Sequence, residues 1–148
     1  MMQKDNHLNI YEKIGKMGDT PRETEAKVLT KGALKLKMCI DCWESEAIGP
    51  LLAEALRFNQ QIWSIFQADL ASQDCRLPRD LRLNLLSLGA FIDKQIFSIM
   101  AHPAPEKLTP IINISLSLAA GLRKKAPSGE NPQKQLAKEE YRSIQIKG

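Results

Sequence analysis

Cys39 and Cys42 form a C-x-x-C pair in the run CIDC, the one spacing in this chain that is associated with metal or redox chemistry. Such a pair can hold zinc or exchange disulfides. Zinc needs four ligands, and no second C-x-x-C supplies the other two. Cys75 and His102 could complete the set only if the fold gathered them. Redox pairs sit beside a strand-turn-helix pattern, whereas these cysteines fall inside a helical one. The expectation is therefore two small residues near a helix end, with no metal and no cofactor. The chain has two histidines, His7 in the polar start and His102 beside Pro103, and neither stands in a motif that supplies a nucleophile or an orienting acid. The carboxylates are scattered singly along helix faces. No residue is read as catalytic, and enzyme function is not expected.

Nucleic-acid binding would call for a basic face interleaved with aromatics. Phe58, Trp63 and Phe66 are interleaved instead with Asn, Gln, Ser and Ile. The formal net charge of +4 lies entirely in residues 123–148, where seven Lys and Arg face three Glu. That tail could touch RNA weakly through its cations; the rest of the chain is neutral, and direct nucleic-acid contact is not expected of it.

At 148 residues with 43% hydrophobic content the chain can build one core of ordinary size. The start MMQKDNHLN lacks the basic and apolar runs of a secretory signal. The run PIINISLSLAAGL is well short of the roughly 20 residues that span a bilayer. Three cysteines, an odd number, fit a reducing compartment. The expected location is cytoplasmic, with no membrane partner.

The elements read as helices. Thr20-Pro21-Arg22-Glu23 is a capping box with proline at the first helical position. After it Ala26, Leu29, Ala33, Leu36, Ile40 and Trp43 recur on one helical face, until Gly49-Pro50 interrupts the pattern. A second helix is predicted from about Leu51 to Gln73. A third begins at LPRDLR, with Pro78 in its first turn and the stripe Leu81, Leu85, Leu88, Ile92 and Ile99; Pro103 and Pro105 end it. A fourth opens at Thr109-Pro110, with Thr109 as cap, and carries Ile111, Ile112, Leu118, Ala119 and Leu122. No window has the period-two alternation of a strand. The fold class is all-α, a small four-helix bundle with a flexible basic C-terminal tail. The chain divides into a polar N-terminal arm (1–19), a helical domain (20–122) and the tail (123–148).

The stretches TPRETEAKVLTKGALKL, AEALRFNQQIWSIFQADL, LPRDLRLNLLSLGAFIDK and PIINISLSLAAGL resemble, in this order, the FlaF family of flagellar biosynthesis regulators of alphaproteobacteria. Asn59, Trp63, Phe66, Asp69, Leu77-Pro78 and Arg82 stand at its characteristic positions. The resemblance implies a small cytoplasmic non-enzyme that binds flagellin in a chaperone-like way and promotes its synthesis and export. It also brings in FlbT, a regulator acting on flagellin messenger RNA, as a second partner. The alternative is a post-transcriptional regulator that contacts that messenger RNA directly or through FlbT. The run CIDCWESEAIGP and the basic tail depart from the family pattern.

The second helix carries two apolar lines. At about 100° per residue, Leu52, Leu56, Asn59, Trp63, Phe66 and Leu70 form one, and Leu51, Ala55, Phe58, Ile62 and Ile65 form another about 100° away. The arc they cover exceeds the stripe of about 100° that a surface helix needs. Either this helix is central and buried on both lines, or one line is left for a partner. In the second case Phe58, Asn59, Ile62, Trp63, Ile65 and Phe66 are the partner-binding residues, in a groove for an amphipathic helix of flagellin.

Overall fold

The computed structural model describes residues 20–124. They form α1 (Pro21–Asp41), α2 (Ile48–Ala71), α3 (Arg79–Ala101) and α4 (Thr109–Arg123), with a 3-10 turn at Pro105–Lys107 before the last helix. The protein is an all-α bundle, as its periodicity predicts. The arm and nearly all of the tail lie outside the described residues.

The capping box forms as read: the Glu23 N–H donates to Thr20 Oγ1 at 3.1 Å, and the Thr20 N–H donates to the Glu23 carboxylate at 3.2 Å. α1 packs most extensively on α4 and next on α2. Its predicted stripe is buried from Ala26 to Leu36, joined by Val28, Gly32 and Cys39. The helix nevertheless ends at Asp41, and Trp43 lies beyond it in a polar turn whose Ser45 Oγ accepts the Ala47 N–H at 3.1 Å. Gly49-Pro50 is not the interruption it was read as. Both residues lie in the first turn of α2, where a proline's missing N–H leaves no helical bond unmade.

α2 is the central helix. Leu52, Leu56, Asn59 and Trp63 on one line are buried, and so are Ala55, Ile62 and Ile65 on the other. α1 and α3 both pack on it.

α3 starts one residue later than read, with Pro78 as its cap position, and Asp80 occupies the first turn near the positive helix end. Lys107 ties off its far end, its ammonium donating to the His102 carbonyl at 2.8 Å and to Ser98 Oγ at 3.1 Å. Among the described residues α3 alone is long and apolar enough to cross a membrane by length and composition; its Leu81, Leu88, Ile92, Ile96 and Ile99 are buried in the bundle. In α4 Thr109 does not cap. Leu108 before it is already helical at φ −79° and ψ −25°, because the 3-10 turn runs straight into the helix.

Candidate functional site

Of the six residues read as partner-binding, four lie inside the bundle. Ile62 is 1% exposed and Ile65 6%, so a groove floored by them is not present on the surface. Asn59 is also buried, and its side-chain amide donates to the Gly32 carbonyl at 3.0 Å and to the Ala55 carbonyl at 2.8 Å. Gly32 has to be glycine for this contact, since a Cβ there would meet Asn59 Oδ1 at 2.6 Å. Asn59 is therefore the pin between α1 and α2. Phe58 is half-buried under two lysines of α1, with Lys31 Nζ 5.8 Å and Lys35 Nζ 5.2 Å from its ring centre.

Trp63 and Phe66 have a different setting. Their rings meet edge to face at 5.8 Å and 87°, and both line a cavity of about 210 Å³ that is open on one side. Leu29 of α1, Leu70 of α2, Leu85 of α3 and Leu118 and Leu122 of α4 close around it, and Cys75 and Leu77 come from the α2–α3 connection. Leu118 and Leu122 of the predicted stripe are thus half-buried cavity walls. All four helices meet here.

The site has a polar edge. Trp63 is 3% exposed, yet its indole N–H finds no acceptor among the described residues. A buried donor left unpaired costs about 1–3 kcal/mol. Glu25 and Asp69 also line the cavity. Burial first, and then the Asp69 charge, push the Glu25 carboxyl above the usual range, with Arg22 opposing. The cavity can therefore hold an apolar group and offers one donor and two carboxylates beside it.

The C-x-x-C pair is split by the helix end. Cys39 faces the core and Cys42 is exposed. Burial raises the Cys39 thiol, and the Cys42 thiol and Glu54 carboxylate add to the shift against Lys35, which leaves it a poor nucleophile. Among the described residues no three His, Cys, Asp or Glu side chains gather as metal ligands.

The family model for flagellar protein FlaF matches residues 7–122. The chain belongs to the FlaF family. No curated protein and no solved structure matches it. The geometry sorts the FlaF motif residues of this chain into two groups. Asn59 holds the helices together, while Trp63, Phe66, Asp69 and Leu77 line the cavity. Arg82 is half-buried on α3 and belongs to neither. Sequence reasoning missed Glu25, Cys75 and Leu85 as cavity residues. The one available signal was Glu25 itself, a carboxylate a helical turn before Leu29 on the apolar side of α1.

Proposed function

We propose that this FlaF protein is a non-enzymatic, chaperone-like partner of flagellin, and that the cavity beside Trp63 seats an apolar side chain from a terminal helix of flagellin. The observation that carries the reading is the cavity of about 210 Å³ built largely from motif residues, with a buried indole N–H that lacks an acceptor among the described residues. Burying one large apolar side chain contributes about 1.5–3 kcal/mol, enough for an interface hot spot. A polar backbone or side-chain oxygen beside that anchor would accept from Trp63. Flagellin's ends are unpaired before assembly, so covering their apolar face would prevent premature polymerisation and deliver the subunit for export.

The test is titration of purified flagellin into the protein by calorimetry, with Cys75→Phe as the variant that fills the cavity from its wall. Binding should weaken at least about tenfold while the melting temperature stays level or rises. In a Trp43→Phe background Trp63 is the single indole, and its fluorescence should shift on flagellin addition. Unaltered affinity in the filled variant refutes the cavity as the seat. A messenger-RNA role would show instead as binding that nuclease abolishes.

A further inference from the structure

The rim of the cavity is negative, and no cation among the described residues is bonded to it. Glu25, in the second turn of α1, and Asp69, in the last turn of α2, both line the cavity, close enough for the Asp69 charge to act on Glu25. An acid in the last turn opposes the negative end of the helix dipole, and that turn of α2 holds no basic residue. Neither carboxylate has a hydrogen bond or an ion pair among the described residues. Arg22 is near enough to oppose the effect of Asp69, yet its Nε and Nη2 are buried without a partner among the described residues. Arg123 of α4 donates to Thr30 Oγ1 at 3.0 Å, and Arg76, between the wall residues Cys75 and Leu77, is exposed.

Two like charges on one rim repel each other, and burial adds to the cost for Glu25. The same cavity is walled by apolar side chains and by Trp63, 3% exposed, whose indole N–H has no acceptor among the described residues. An occupant that meets every one of these needs brings an apolar group, a cation and an acceptor oxygen. A peptide segment with Lys or Arg beside a large apolar residue has all three, the oxygen coming from its own backbone. A fatty acid or an anionic lipid would fill the space but set like charge against the carboxylates. An apolar cavity of about 150 Å³ takes up benzene, so one of about 210 Å³ has room for an aromatic ring or a short alkyl chain.

We propose that Glu25 and Asp69 form a cation subsite, so that the cavity takes an apolar anchor flanked by a Lys or Arg side chain of its protein partner. The two acids then select among apolar segments, and Trp63 holds the seated backbone. As a statement about flagellin this rests on the reading above; as a statement about the chemistry of the cavity it is tested without flagellin.

The probes are n-hexylammonium, 1-hexanol and hexanoate, titrated into the full chain in the Trp43→Phe background and read by Trp63 fluorescence. Hexylammonium should bind at least about tenfold more tightly than hexanol, and hexanoate more weakly than either. Glu25→Gln with Asp69→Asn should remove the ammonium preference while hexanol binds as before, which also shows that the variant is folded. Cys75→Phe should weaken the binding of both hexylammonium and hexanol. Equal binding of the ammonium and the alcohol, a preference that survives the double variant, probe binding indifferent to Cys75→Phe, or no probe binding at all overturns the proposal. So does calcium binding by calorimetry that the double variant removes, which assigns the two carboxylates to a metal ion. Flagellin should bind the double variant at least about tenfold more weakly than wild type. Flagellin binding that Cys75→Phe blocks and the double variant leaves unchanged overturns the cation subsite alone. An ammonium preference, with flagellin indifferent to both variants, overturns the flagellin reading alone and supports the subsite.

Discussion

Replacing Gly32 by alanine adds one methyl group at the closest approach of α1 and α2. The new Cβ would lie 2.6 Å from Asn59 Oδ1, 3.2 Å from its Cγ and 3.3 Å from Ile62 Cδ1. Neither neighbour can leave cheaply, because both are about 1% exposed and the Asn59 amide is held by two carbonyls. Either the helices part or Asn59 turns out of its bonds. Overpacking of this kind costs about 1–3 kcal/mol, and a buried amide deprived of its partners costs about 1–3 kcal/mol more. Against that, alanine gains about 1 kcal/mol over glycine in a helix. The net loss is about 1–5 kcal/mol, and at its middle value of about 3 kcal/mol a domain of this size loses on the order of 10–25 °C in Tm. Urea unfolding should show a lower midpoint at an unchanged slope. Gly89→Ala is the control. The nearest atoms to its Cβ would all belong to the Gln67 side chain, Nε2 at 2.8 Å, Cγ at 3.0 Å and Cδ at 3.3 Å, and that half-buried side chain can turn away at the expense of its exposed bond to Asp93. Its stability should stay within about 1 kcal/mol of wild type. In an Asn59→Ala background the penalty of Gly32→Ala should shrink by at least about 1 kcal/mol, because the two side chains touch. A Gly32→Ala protein as stable as wild type would refute the pin.

Two further outcomes are expected. Ile62→Ala should lose about 2–5 kcal/mol of folding stability by urea titration, as fully buried large-to-small changes do, whereas a near-neutral result would mean that the second line of α2 is surface after all. Glu25→Gln should be more stable than wild type near neutral pH. The folded protein raises this carboxyl, so it holds the proton more tightly than the unfolded chain and loses stability as pH rises from the ordinary carboxylate range through the raised value. The difference between Gln and Glu should vanish in acid below that range, and a variant less stable than wild type at neutral pH counts against the assignment.

The helices were legible because caps and spacing are local. Thr20 and Glu23 bond each other within one turn, and the α1 stripe needs only its own sequence. Gly49-Pro50 misled because the same dipeptide stops a helix or starts one, depending on the chain before it; here the turn at 42–47 had already ended α1. The double apolar arc of α2 was visible, and its two explanations were both open, since periodicity gives the width of a buried face but not its neighbours. α1 and α3 settle that. The cavity was not legible at all, because Glu25, Cys75, Leu85 and Leu122 come together only through the crossing of four helices.

The cavity itself works against stability, and that bears on its use. Trp63 and Asn59 lie on the same line of α2, one turn apart, yet one end of the line is closed so tightly that a methyl group does not fit while the other is open by about 210 Å³. Interiors rarely keep voids much larger than a water molecule. An enclosed apolar cavity of that volume would cost about 5 kcal/mol at about 24 cal/mol per Å³, and an open one less. The indole N–H, without an acceptor among the described residues, adds to the cost. Packing alone would remove the void, for instance with a larger side chain at Cys75, whereas the indole N–H needs an acceptor oxygen. An occupant with an apolar anchor and an acceptor oxygen recovers both at once, and it recovers them only while bound. Stability and binding should therefore move in opposite directions when the cavity is filled from within. Cys75→Phe is expected to raise Tm and to weaken flagellin binding together; a variant that lowers both would mean that the space is needed for folding and is no seat for a partner.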